Sequence, residues 1–269
     1  MIGIIIIVIV IIGLPFLFLA PGHAGKRKEP FYGRNFAHRG LHSEDRTVPE
    51  NSLAAFRLAV EAGYGMELDV QLSKDGKVVV FHDDTLDRVC GVHARVDELD
   101  YSELSKLRLC GSDESIPLFS EVLELVDGKE PIIVELKTGK RNKELCEKTH
   151  GLLKAYKGKT CIESFNPFIV MWFGIHSPEL LRGQLSQRPA DFRDGGIKGA
   201  TAFVLGNTLL NLFARPHFIA YRIGPRPITV RFAEWLGAMP VGWTSREPAS
   251  EKGRDAVIFE FYRPEIRYK

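Results

Sequence analysis

From Asn35 onward the chain repeats one rhythm: a short apolar or β-branched run, a polar break, then a longer stretch with helical spacing. Nine runs read as strands, Asn35 to His38, Met66 to Leu72, Val78 to His82, Pro131 to Leu136, Thr160 to Phe165, Leu180 to Ser186, Phe218 to Arg222, Val241 to Thr244 and Ala256 to Phe261. Between them lie helical stretches such as Ser52 to Ala62, which follows the candidate cap Asn51 and places Leu53, Phe56 and Val60 on one stripe. Strands that alternate with helices bury both faces in a parallel sheet. About 240 residues of this kind fit one α/β domain, a (β/α)₈ barrel of the TIM type, which takes roughly 250. Nine candidates exceed eight strands, so either the segment around Leu72 or Ala256 to Phe261 lies outside a regular barrel.

One connection breaks the rhythm. Val70 to Lys77 is too short for a helical crossover, and Ser73-Lys74-Asp75-Gly76 carries turn chemistry. A hairpin is expected here. If Ser73 pairs with Val78, Asp69 stands opposite His82 on one face.

The charge is unevenly spread. Met1 to Gly25 has no charged side chain, and Ile2 to Ala20 is almost wholly apolar, about the length needed to cross a ~30 Å hydrocarbon core. The predicted organisation is therefore a membrane anchor over 1–25, a basic juxtamembrane linker over 26–34 and a barrel over 35–269. Lys26, Arg27, Lys28 and Arg34 all follow the apolar run, which by the positive-inside rule predicts a single-pass protein with its barrel on the cytoplasmic side. The four cysteines, Cys90, Cys110, Cys146 and Cys161, have no metal or disulfide spacing and agree with a reducing compartment. Thirty-six basic against 34 acidic side chains leave a formal charge of +2, which gives no reason to expect nucleic acid as a partner.

The chemistry gathers at strand ends. Glu67 and Asp69, one residue apart in a strand, point to the same side, and so do Glu135 and Lys137. Three carboxylates converging at one end of a barrel repel one another unless a cation neutralises them, and all-oxygen ligation favours Mg²⁺ or Ca²⁺ over zinc. His38 and His82 each end an apolar run, and a pair of imidazoles titrating near neutrality can act as general base and general acid. His23, His93, His150, His176 and His217 read as structural, whereas His42 lies near Arg39 without a strand to aim it.

These residues fall into recognisable motifs. His38-Arg39-Gly40, Pro49-Glu50-Asn51-Ser52, Glu67-Leu68-Asp69-Val70, Ser73-Lys74-Asp75-Gly76 and Phe81-His82-Asp83-Asp84-Thr85-Leu86-Asp87-Arg88 resemble, in order and spacing, the glycerophosphodiester phosphodiesterase family. Val134-Glu135-Leu136-Lys137, Ser164-Phe165-Asn166 and Trp243-Thr244 extend the likeness, which covers roughly 35–262. It implies a distorted TIM barrel that uses one divalent cation, Mg²⁺ or Ca²⁺, to hydrolyse glycerophosphodiesters to sn-glycerol 3-phosphate and an alcohol. By motif, Glu67, Asp69 and Glu135 would be metal ligands, His38 and His82 the acid/base pair, and Arg39 and Lys137 the phosphate clamp. Glu50 is a further candidate for metal or substrate hydroxyls. Alternatives on the same residues are a lysophospholipase D-like hydrolase, a phosphoinositide-cleaving lyase that releases a cyclic phosphate, and a noncatalytic membrane-tethered binding domain.

Three stretches depart from this pattern. His42 to Val48 is longer and more charged than expected, and Val257-Ile258-Phe259-Glu260-Phe261 stands where the family more often has a Thr-Asp pair. Residues 200–214 carry no charge and read as a buried helix packed on the barrel, with contact to a bilayer beside the site as the sharper alternative.

Overall fold

The computed structural model describes residues 13–14 and 16–269. The strands are β1 (Arg34–Ala37), β2 (Gly65–Leu72), β3 (Val78–Val80), β4 (Ile132–Leu136), β5 (Thr160–Ser164), β6 (Leu181–Ser186), β7 (Phe218–Arg222), β8 (Met239–Ser245) and β9 (Ala256–Phe259). Eight of them close a parallel barrel in the order β1, β2, β4, β5, β6, β7, β8, β9, with β9 returning to β1. The ninth, β3, lies antiparallel on β2 outside the ring. Ala256–Phe259 therefore belongs to the barrel, and the short connection after Leu72 marks the strand that does not.

The register of that hairpin differs from the expected one by one residue. Leu72 pairs with Val78 and Val70 with Val80, so the Phe81 amide donates to Asp69 (3.0 Å) and His82 stands one place further on. The turn is wider than four residues because the Ser73 amide closes on the Lys77 carbonyl (3.0 Å). β1 pairs with β2 only at Gly65 and Met66, and β3 takes over the same edge from Val70. Glu67 and Asp69 lie in the gap between these two partners.

Burial on two faces explains how charged side chains sit in so apolar a strand. Met66, Leu68 and Val70 face outward into a core shared with the helices Leu53–Glu61, Phe119–Val126 and Asn142–Ala155, while Glu67 and Asp69 alternate inward. Phe36, Ile133, Cys161, Leu181, Phe218 and Ile258 fill the barrel below them. The helix Leu53–Glu61 is capped by Ser52, whose Oγ accepts from the Ala55 amide (3.1 Å). Asn51, the expected cap, instead adopts φ +55° and turns its amide to Asp69.

Gly40 makes this entry possible. Its φ is +78°, and a Cβ there would lie 2.9 Å from the Ala55 carbonyl carbon and Cβ. Gly40→Ala is expected to destabilise the fold by about 1–3 kcal/mol through combined strain and overlap, read by denaturant unfolding.

The described part of the N-terminal run corrects the membrane prediction. Residues 1–12 and 15, most of the expected anchor, lie outside the described residues. Among the described residues no helix is long and apolar enough to cross a membrane. The end of the run packs on the barrel instead: Leu19 is buried with Ile219, Tyr221 and Val230, Phe16 meets Phe232 edge-on at 5.2 Å, and the Gly22 amide donates to Pro216 (3.0 Å). Ala24 and Phe31 are buried in the cluster that contains Phe36. An uncharged run satisfies hydropathy equally against lipid or against the flank of a barrel, and here its described end meets protein. The expected single-pass span, the membrane partner it supplied and the cytoplasmic orientation inferred from it are set aside, because the positive-inside argument requires a span to orient.

Candidate active site

The inward carboxylates come together at the C-terminal ends of the barrel strands. Glu67, Asp69 and Glu135 are buried and bring one oxygen each to within 4.8 Å of one another. β2 and β4 pair in register, with Asp69 beside Glu135, so strand geometry alone forces the like charges together. Lys137 partly offsets them, its Nζ lying 2.9 Å from Glu135 Oε1 and 3.3 Å from Asp69 Oδ1. Arg39 approaches from the β1 end, with Nε 3.3 Å from Asp69 Oδ2 and its backbone amide donating to Glu67 Oε2 (3.1 Å). Asn51 Nδ2 donates to Asp69 Oδ2 (2.9 Å).

The electrostatics divide the three acids. For Asp69 burial favours the neutral form, but Lys137, His82, Arg39 and the Asn51 hydrogen bond outweigh it and hold the carboxyl below its usual range. Glu67 is pushed well above that range by burial and by the neighbouring Asp69, Glu135 and Glu163. Glu135 is also raised, by burial, against the pull of Lys137. Lys137 and Arg39 thus suffice to keep Asp69 ionised but leave Glu67 and Glu135 without the positive charge that would hold them in their usual range. Three buried carboxylates with oxygens this close fit a hard divalent cation.

Both candidate histidines are held by carboxylates. His38 donates from Nδ1 to Glu260 Oε2 (3.0 Å), which leaves Nε2 facing the site, 3.9 Å from Glu67 Oε2. Burial and the neighbouring Arg39 lower its pKa to about 4, against the pull of Glu260. His82 donates from Nδ1 to Asp83 Oδ1 (2.6 Å), and its loop is tied down by Gln71, whose Nε2 donates to the carbonyls of Phe81 and Asp83 (both 2.9 Å).

Glu50 is placed differently from the other acids. Its Oε1 accepts from Arg39 (2.6 Å) and Arg88 (2.7 Å), and its Oε2 accepts from Arg88 (2.7 Å). Arg88 also binds Asp83 (2.6 Å), so one guanidinium ties the Arg39 support to the His82 support. Arg88→Ala is expected to lower kcat/KM by about 10- to 100-fold through loss of this outer support. Because the side chain is 41% exposed, stability should shift by no more than about 1 kcal/mol, read by thermal unfolding beside the kinetics.

Sequence reasoning missed three parts of this constellation. Glu260 was read only as a departure in the last strand, yet it touches His38 and accepts from Arg246 (2.8 Å). Arg88 sat in a quoted motif without a role. Glu163 on β5 is buried beside Glu135 in register, its Oε2 has no hydrogen-bond partner, and burial with Glu135 and Asp69 pushes its pKa well up. Its alternation with Cys161, which faces the barrel interior, was the available signal. His42 joins this network at a distance, its Nε2 3.7 Å from Glu260 Oε2.

A parallel β/α barrel with acids, bases and histidines gathered at the C-terminal strand ends has the layout of a barrel enzyme. Residues 38–257 match the sequence profile of the glycerophosphoryl diester phosphodiesterase family, and the chain belongs to that family. A glycerophosphodiester phosphodiesterase of Caldanaerobacter subterraneus is 37% identical over 164 residues, 56% of this chain and 65% of that protein. A lysophospholipase D of Rattus norvegicus is 39% identical over 145 residues, 49% of this chain and 44% of that protein. The chain thus matches less than two thirds of the length of either relative. A solved phosphodiesterase of Oleispira antarctica shares the fold, with a TM-score of 0.69 at 24% identity over 85% of this chain and 93% of that one. A glycerophosphodiester phosphodiesterase structure from Thermotoga maritima follows at 0.62 and 25% identity, over 84% and 93%.

Proposed function

We propose that the protein hydrolyses glycerophosphodiesters to sn-glycerol 3-phosphate and an alcohol with the help of one divalent cation, Mg²⁺ or Ca²⁺. The observation that carries this reading is the three-carboxylate cluster with His38 Nε2 aimed at its edge. Glu67, Asp69 and Glu135 would hold the cation, which when bound supplies charge to a non-bridging phosphate oxygen. Arg39 offers a planar fork and Lys137 a point charge to the remaining oxygens. Glu50 keeps Arg39 in place through its ion pair. Glu260 and Asp83 orient the two imidazoles so that each keeps Nε2 for the reaction. One imidazole accepts a proton from the attacking hydroxyl and the other returns a proton to the departing alkoxide. The name of the Caldanaerobacter relative supports the same chemistry.

The test is product analysis with the purified full chain and glycerophosphocholine. Release of sn-glycerol 3-phosphate and choline is the expected result. A cyclic phosphate as the final product would transfer the chain to the lyase class, and no turnover with either cation would overturn the reading.

A further inference from the structure

We propose that His38, His42 and Glu260 form a second metal site, one that takes Zn²⁺ and, when filled, switches the hydrolase off. The binding half of the proposal stands by itself, and the inhibitory half rests on the hydrolase reading above. One ligand atom from each of the three residues lies within 4.8 Å of the other two. His38 Nδ1 is 3.0 Å and His42 Nε2 is 3.7 Å from the same oxygen, Glu260 Oε2. Zinc bonds of about 2.0–2.1 Å at tetrahedral angles set donors about 3.3 Å apart, which these two spacings bracket. Two imidazoles and one carboxylate make the donor set of an open zinc site, with one corner left for water. The carboxylate cluster offers oxygen alone and suits Mg²⁺ or Ca²⁺, so the two sites sort hard from borderline cations by donor chemistry.

A buried imidazole nitrogen carries the argument. The His42 side chain is 8% exposed, and its Nε2 is buried without a hydrogen-bond partner. At 3.7 Å from Glu260 the atom is too far for a hydrogen bond, and that oxygen already accepts from His38. A buried polar atom left unpaired is costly, and a cation between the three donors would satisfy it. The ring is held in place all the same. It meets Phe261 edge to face at 5.0 Å, while on either side of it the Leu41 amide donates to Ala55 (2.9 Å) and the Ser43 amide to Val48 (3.0 Å). Pairing of β1 with β9 brings His38 beside Glu260, whose other oxygen, Oε1, accepts from Arg246 (2.8 Å). Arg246 is an exposed side chain, so water screens its charge from a cation on Oε2. The two ligands besides His38 come from the two stretches that depart from the family's pattern, His42 from the long segment after Gly40 and Glu260 from the end of the last strand.

Zinc at this site disables His38 through its tautomer. Without zinc, Nδ1 carries the ring proton and donates it to Glu260, so Nε2 keeps its lone pair for the reaction. When Nδ1 bonds zinc, the Nδ1–H bond breaks and that proton leaves to water, and the neutral ring takes one proton back from water on Nε2. The imidazole itself gains and loses no net proton. Its Nε2 then has no lone pair to accept another, and a ring that must both take and give a proton in each turnover stalls. The phosphate clamp and the carboxylate cluster keep their own residues, so the inhibition leaves both intact.

The test titrates Zn²⁺ into the purified full chain at saturating Mg²⁺ or Ca²⁺, read by isothermal titration and by hydrolysis of glycerophosphocholine. The variants are His42→Phe, which keeps a ring against Phe261, and His42→Gln, each checked by thermal unfolding. The parent should bind one zinc per chain and slow by about 10²-fold or more, as for losing one general acid or base. Both variants should match the parent rate without zinc, resist inhibition and bind zinc at least about 10²-fold more weakly, since even outer partners of a metal site cost 10- to 100-fold. Co²⁺ in place of Zn²⁺ should give the parent the strong visible absorption of tetrahedral coordination, and neither variant should show it. No zinc bound at saturating Mg²⁺ or Ca²⁺ overturns the site. Binding and inhibition that persist in both variants, or that further Mg²⁺ or Ca²⁺ relieves, assign the zinc to the carboxylate cluster and overturn it as well. Zinc bound through His42 with hydrolysis unslowed overturns the switch. Zinc bound through His42 on a chain that never hydrolyses glycerophosphocholine overturns the hydrolase reading and leaves the metal site standing.

Discussion

Alanine at His38 or at His82 is expected to lower kcat by about 10²- to 10⁴-fold, the range for losing one general acid or base. Each imidazole is anchored at Nδ1 by a carboxylate, His38 by Glu260 at 3.0 Å and His82 by Asp83 at 2.6 Å, so each presents the same nitrogen, Nε2, to the reaction. Both carboxylates are held below their usual range: burial opposes this, but hydrogen bonds from the histidine and from an arginine prevail. An ionised acid cannot donate, so the proton of that bond sits on the ring. Neither ring fills the hydrophobic core, and far-UV circular dichroism and the unfolding midpoint should stay close to those of the parent chain. Turnover near the parent rate in either variant, with the fold intact, would reject the acid/base assignment.

Asp69→Asn is expected to cost at least about 10²-fold in activity at low cation, because even outer partners of a metal site cost 10- to 100-fold when removed. The substitution keeps the shape and the contact with Asn51 but deletes the charge that Lys137 and Arg39 both face. Two cations are then left near a weakened acid pair, and the affinity for a third should fall. Raising Mg²⁺ or Ca²⁺ should recover part of the rate, and isothermal titration should show weaker binding. An unchanged cation requirement in the variant, or full activity of the parent after exhaustive chelation, would remove the metal from the mechanism.

Much of the barrel was legible because its strands are buried on both faces. The runs 132–136, rich in β-branched residues, and 218–222, largely apolar, fit a parallel sheet with helices outside and side chains within. The same alternation exposed the carboxylates, since spacing by two puts Glu67 with Asp69 on one face regardless of what surrounds them. Register was harder. A one-residue difference in the turn 73–77 separates Asp69 opposite His82 from Asp69 opposite Phe81, and nothing in the turn residues decides it. Partners distant in sequence were harder still. Glu260 lies 222 residues from the His38 it holds, and Glu163 becomes a neighbour of Glu135 only through the pairing of β4 with β5.

The membrane reading of the N-terminal run failed for a physical reason. Hydropathy measures the tendency to leave water and is silent about the destination. Leu19 leaves it for Ile219 and Tyr221, while Leu205 and Leu210 leave it only in part and border a cavity. Sequence by itself determined the β/α alternation, the hairpin after Leu72 and the residue types of the carboxylate and histidine motifs, because each is written in local periodicity and motif spacing. Tertiary structure decided which strand edge each carboxylate faces, which acid holds which histidine and what covers each apolar face. Those depend on closure of the barrel, which brings the first strand against the last and sets side chains more than 200 residues apart within hydrogen-bonding distance.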